Sequence, residues 1–106
     1  MQLLTKAIRR RLPPLYGNEE KGLDAKAIVK FFTPDSSWTW YASEFDGEDL
    51  FFGLAVGFEP ELGYFRLSEL QSVRGKLGLP VERDKFFKPT PLRVLLEQHE
   101  KGAITS

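Results

Sequence analysis

The chain has 106 residues, no cysteine, and 15 Lys plus Arg against 15 Asp plus Glu, so its formal net charge is zero. That length closes one hydrophobic core, and a single domain over 1–106 is expected. Without cysteine there is no disulfide and no thiolate zinc site. No apolar run reaches the ~18 residues of a membrane helix and no apolar signal stretch follows the first charges, so a soluble, cytoplasmic chain with no membrane partner is expected.

Thr5 is placed to cap a short first helix with Ile8 and Leu12 on one face, stopped by Pro13-Pro14. Residues 15–24 read as a loop anchored by Leu15 and Tyr16. The β-branched and aromatic run from Ala27 to Phe32 reads as a strand, and Thr33-Pro34-Asp35-Ser36-Ser37 as the turn into a second strand from Trp38. Asp46-Gly47 lies between the runs Trp38 to Phe45 and Leu50 to Gly57, a strong hairpin signal. Two-residue tips at Asp46-Gly47 or at Gly47-Glu48 give the same faces. Tyr41 and Phe45 fall with Phe52, Leu54 and Val56 on a core face, and Trp38, Trp40 and Ala42 with Phe51, Gly53 and Ala55 on the other. Gly63 to Leu67 reads as a fourth strand. Ser68 and Gln71 match a capping box for a helix toward Gly75, and Thr90-Pro91 caps a last helix carrying Leu92, Leu95, Leu96 and His99 up to Gly102. The expected fold is α+β: an antiparallel sheet of about four strands, a meander with the Asp-Gly hairpin, with N-terminal and C-terminal helices packed on it.

The zero balance hides a segregation. Between Phe31 and Phe65 there is no Lys or Arg, while Asp35, Glu44, Asp46, Glu48, Asp49, Glu59 and Glu61 are all acidic; the compensating positive charge lies in the two flanking segments. The Trp38, Trp40 and Phe51 face is open to three readings: a second core under a helix, a stacking platform for single-stranded nucleic acid, or a protein-binding patch. Burial is the default. Direct nucleic-acid binding is disfavoured, because a phosphate backbone would lie on the segment that has no cation. Carboxylates beside a few aromatics instead suit a competitor for a basic groove, so Glu44, Asp46, Glu48, Asp49, Glu59 and Glu61 with Trp38 and Trp40 are the candidate partner-binding residues. The bland alternative is that they only solubilise.

No enzymatic constellation is present. His99 is the only histidine and lies on an apolar helical stripe, which favours a packed side chain over a triad or metal role. The acidic tip lacks EF-hand spacing, and Gly75-Lys76-Leu77-Gly78 lacks the glycine spacing and hydroxyl of a phosphate loop. No cofactor and no metal site is expected. Arg9-Arg10-Arg11 is the densest basic cluster; on a helix the three diverge, so a solvated face is preferred over phosphate contacts.

Lys30-Phe31-Phe32-Thr33-Pro34-Asp35-Ser36-Ser37-Trp38-Thr39-Trp40-Tyr41, continuing through Glu44 to Asp49, resembles a family of small uncharacterised proteins carried on bacterial plasmids, phages and integrative elements. Gly63-Tyr64-Phe65, Leu67 to Leu70, Val73-Arg74-Gly75, Leu77 to Pro80, Glu82-Arg83-Asp84 and Lys88 to Pro91 extend the resemblance over nearly the whole chain. The resemblance carries no catalytic residues. It implies a bacterial cytoplasmic setting and a link to anti-CRISPR proteins: a non-enzymatic inhibitor whose partner is a guide-RNA-loaded type II nuclease. The alternative is an accessory DNA module of a mobile element that uses Arg9, Arg10 and Arg11 on phosphates.

Overall fold

The computed structural model describes residues 2–105. In chain order the elements are α1 (Lys6–Arg11), a 3-10 turn (Glu19–Asp24), β1 (Lys26–Ala27), β2 (Val29–Phe32), β3 (Thr39–Phe45), β4 (Leu50–Val56), β5 (Pro60–Arg66), α2 (Leu67–Ser72), β6 (Glu82–Arg83), β7 (Thr90–Pro91) and α3 (Leu92–Thr105). Strands β2 to β5 form the expected meander. β6 adds a fifth strand outside β2, so the order is β5-β4-β3-β2-β6, antiparallel at every junction. β1 and β7 pair separately as a two-stranded ladder. The fold is α+β, with helices before and after the sheet.

Both sheet faces are buried, by different parts of the chain. On one face Val29, Phe31, Trp40, Ala42, Phe45, Phe51 and Phe65 pack under Leu3, Leu4 and Leu12 from the N-terminal segment, Leu67 and Leu70 of α2, and Val81. Phe51 is the hub, with Phe45, Phe65 and Phe31 rings at 4.6, 5.3 and 5.6 Å between centroids. On the other face Tyr41, Leu54 and Ala27 pack against Leu92 and Leu95 of α3. The Trp40 face is therefore the larger core.

The hairpin departs from strict alternation at one residue. Trp40 pairs with Ala55, Tyr41 with Leu54 and Ala42 with Gly53, but Glu44 then pairs with Phe52 and Phe45 with Phe51. Ser43 is the extra residue of a β-bulge, which shifts the side-chain alternation of everything beyond it. Phe45 therefore lies on the Trp40 and Phe51 face, not with Tyr41, and Glu44 crosses to the Tyr41 face. Neither two-residue tip forms. Asp46 donates its N–H to the Leu50 carbonyl, and Gly47, at φ +90°, makes the left-handed turn inside a longer loop.

Several expected boundaries also move. Thr5 does cap α1, accepting the Ile8 N–H through Oγ1. Tyr16 is no buried anchor; it is 65% exposed and its φ is +67°. β5 already starts at Pro60, and α2 is capped from Arg66, whose N–H bonds the Glu69 carboxylate, while Ser68 instead donates to Asp49. α2 ends at Ser72, and Thr90-Pro91 pairs with β1 before α3 begins at Leu92 and runs past Gly102. Replacement of Phe51 by Ala removes the ring that three others contact, and a loss of about 3–5 kcal/mol in urea unfolding is expected. A loss under ~1 kcal/mol would contradict this packing.

Candidate functional site: an aromatic cavity beside the bulge and an aromatic end of the sheet

β2 pairs with β3 only as far as Val29 opposite Ala42, so Ser43 to Phe45 have no strand on that side. The segment after α1 takes its place. Phe45 N–H donates to the Pro13 carbonyl at 2.9 Å, and the Glu44 carboxylate accepts the Tyr16 N–H through Oε1 and the Asn18 N–H through Oε2, both at 2.9 Å. Asn18 Nδ2 donates to Ser43 Oγ at 3.3 Å. Glu44 is 6% exposed and Ser43 fully buried. Glu44 is thus held inside the molecule by two charge-assisted bonds, and it clamps a loop to the sheet.

This clamp forms the floor of a cavity of about 420 Å³. Glu44, Phe52 and Tyr64 lie side by side across β3, β4 and β5, and Tyr16 closes the rim from the loop. The Tyr16 and Tyr64 hydroxyls are 3.5 Å apart. The Tyr64 phenol is raised above its ordinary value of 10.0 first by that hydrogen bond, then by partial desolvation, by Tyr16 itself and by the Glu44 and Glu19 carboxylates. Charge at the rim is negative in character.

The remaining candidates divide sharply. Asp46 Oδ1 accepts the N–H groups of Glu48, Asp49 and Leu50, which lower its pKa; Asp49 is lowered by the Ser68 hydroxyl and N–H and lies 3.7 Å from Arg66. Glu48 is exposed at the tip, and Glu59 and Glu61 are exposed at the opposite end of the sheet. Trp40 is buried, 7% exposed, under the segment at Val73, while Trp38 is 40% exposed and stacks on it at 5.9 Å. Trp38 covers Gly57 so closely that a Cβ there would lie 2.3 Å from the indole, and Phe58, 98% exposed, meets its edge at 6.2 Å. Trp38, Phe58, Glu59 and Glu61 therefore adjoin one another. Phe58 had no periodic signal to mark it.

Arg9 donates to the Gly47 carbonyl at 3.2 Å and lies over the Phe45 ring, so it ties α1 to the hairpin, while Arg10 and Arg11 are exposed. The Gly75 to Gly78 loop closes on its own chain's carboxylate: Asp35 Oδ2 accepts the Leu77 and Leu79 N–H groups at 2.7 and 3.2 Å. His99 is packed as expected, its Nε2 at 2.8 Å from the Tyr41 hydroxyl. Among the described residues no group of His, Cys, Asp and Glu is arranged to hold a metal ion, and no described helix is long and apolar enough to cross a membrane.

The arrangement defines a class: an antiparallel α+β domain, helices on both faces, with its polar chemistry gathered where the bulge meets the loop after α1. A model of the family described as "Protein of unknown function (DUF2958)" matches residues 3–104, and the chain belongs to that family. No curated protein and no solved structure matches it.

Two pH effects follow. Burial, and then the Lys30 charge, lower the His99 pKa below 6.5, so the unfolded chain binds this proton more readily than the folded one. Stability is expected to fall as pH drops from about 7 to about 5.5, and the slope to flatten in His99→Gln, measured by urea unfolding. Equal slopes would contradict it. Asp46 and Asp49 are depressed below 3.8, so their contribution is present above that pH and is lost in more acid solution. NMR titration should show both carboxyls protonating below 3.8, with the tip loosening in step.

Proposed function

We propose that this protein is a non-enzymatic inhibitor that binds another protein, a guide-RNA-loaded type II CRISPR nuclease, and keeps it from engaging target DNA. One observation carries the surface assigned to it: Trp38 and Phe58 are large rings exposed together beside Glu59 and Glu61. Exposed aromatics that desolvate on contact supply affinity, and flanking carboxylates steer them to a basic surface such as a nucleic-acid channel. The choice of nuclease rests on the resemblance of the sequence motifs to proteins of mobile elements.

The acidic surface in this proposal is narrower than the six carboxylates expected from sequence. Glu44, Asp46 and Asp49 are engaged within the chain, which leaves Glu48, Glu59 and Glu61 to face a partner. Capture of the guide-loaded nuclease by the tagged protein, with and without target DNA, tests the function. The expected result is capture that target DNA prevents, weakened at least tenfold in Phe58→Ala/Glu59→Lys/Glu61→Lys, about 1.4 kcal/mol or more, with thermal stability kept. No capture in either state, or salt-sensitive binding of the protein to bare DNA instead, would contradict it.

A further inference from the structure

The cavity beside the bulge has a lining whose chemistry selects its occupant. Tyr16, Tyr64 and Phe52 supply aromatic surface, Glu44 and Glu19 supply carboxylates, and no Lys, Arg or His is among the described residues that line it. Aromatic faces attract cations electrostatically, and a carboxylate floor adds to that attraction, whereas an anion would meet like charge with nothing to offset it. Ser43 is fully buried and Glu44 nearly so, so an occupant would touch mainly the aromatic and apolar lining and feel Glu44 through its charge. The fitting ligand is a guanidinium or ammonium group on a slender apolar stem, as in arginine or lysine.

Backbone geometry marks the same place independently. Tyr16 is the one non-glycine residue at positive φ among the described residues, at +67°. For an aromatic side chain that conformation costs roughly 1–2 kcal/mol and needs support from its surroundings. The Glu44 carboxylate supplies it, and the result is a ring 65% exposed at the cavity rim.

The third observation concerns what carries the cation. β5 ends the sheet order, with β4 on one side only. Leu67 N–H donates to the Asp49 carbonyl, so by alternation the inward-bonded residues of β5 are Gly63 and Phe65, and the main-chain groups of Leu62 and Tyr64 point outward. Leu62 and Tyr64 also line the cavity and are 42% and 52% exposed. A strand laid along this edge would place alternate side chains on the cavity's face beside Leu62 and Tyr64, from where a long side chain reaches across Tyr64 toward Tyr16.

We propose that the cavity and the outer edge of β5 together bind an extended segment of a partner protein that bears an arginine or lysine. The cationic side chain sits between Tyr16 and Tyr64 above Glu44 and Glu19, and the segment's main chain pairs with Leu62 and Tyr64. This surface is on the α3 face, away from Trp38, and does not depend on the nuclease reading.

The probes are N-acetyl-arginine methylamide, its lysine and citrulline counterparts, and a five-residue peptide with arginine at its centre between valines and threonines. They are titrated into the full chain with NMR shifts as the readout. Saturable binding of the arginine and lysine compounds, of the order of 1 mM, with shifts centred on Tyr16 and Tyr64, is expected. The neutral citrulline compound should bind at least fivefold more weakly, and the peptide at least fivefold more tightly than the single residue. Tyr16→Gly keeps the positive φ without strain, so it should lose about fivefold in affinity while the fold persists, as should Tyr64→Ala; Trp38→Ala should bind as wild type. No saturable binding, equal binding of citrulline, or unchanged affinity in both tyrosine variants would overturn the cation site. Equal binding of peptide and single residue would overturn the strand pairing.

Discussion

The carboxylate of Glu44 is the interaction on which the surface of this molecule depends. It is buried, yet both oxygens accept backbone N–H groups, from Tyr16 and Asn18. Hydrogen bonds to a charged group contribute a net of about 1.5–3 kcal/mol each, against roughly 1–2 kcal/mol for the left-handed backbone at Tyr16. The clamp exists only because Ser43 is an extra residue in β3. In a regular strand Glu44 would point into the Phe51 core with no donor to meet it, and Phe45 would leave the aromatic stack.

The acidic residues divide by role, and the bulge sets that of Glu44. Glu44 holds a loop, Asp46 closes the hairpin tip, Asp49 fastens the start of α2, and Asp35 fastens the loop at Leu77 to Leu79. A cation-free stretch of sequence therefore reflects internal anion-to-amide bonding as much as an acidic exterior. The two surfaces proposed to meet partners are distinct: a ring pair flanked by Glu59 and Glu61 on the Trp40 side, and a tyrosine-rimmed cavity on the α3 side.

The fold class, the meander, the Thr5 cap and the packed state of His99 were all legible in the sequence, because each rests on local chemistry: alternation, turn residues, a capping hydroxyl, an apolar stripe. The bulge was not. Tyr41-Ala42-Ser43-Glu44-Phe45 alternates acceptably in either phase, and only the tertiary gain from the Pro13 to Asn18 segment decides between them. The Ser68 and Thr90 caps failed for a related reason. Long-range partners, Asp49 for Ser68 and β1 for Thr90, outcompete the local motif. β6 escaped notice because two charged residues carry no strand pattern and pair only because β2 offers an edge. Phe58 and the cavity depend on where a loop falls, which periodicity does not encode.

Amide hydrogen exchange at Tyr16 and Asn18 tests the central claim most directly. Both residues sit in a surface loop, where amides ordinarily exchange freely unless bonded. The clamp predicts that both are protected in the wild type, and that Glu44→Ala strips the protection from these two while the amides of β4 stay protected. Free exchange of Tyr16 and Asn18 in the wild type, or protection that survives the loss of the carboxylate, would contradict it.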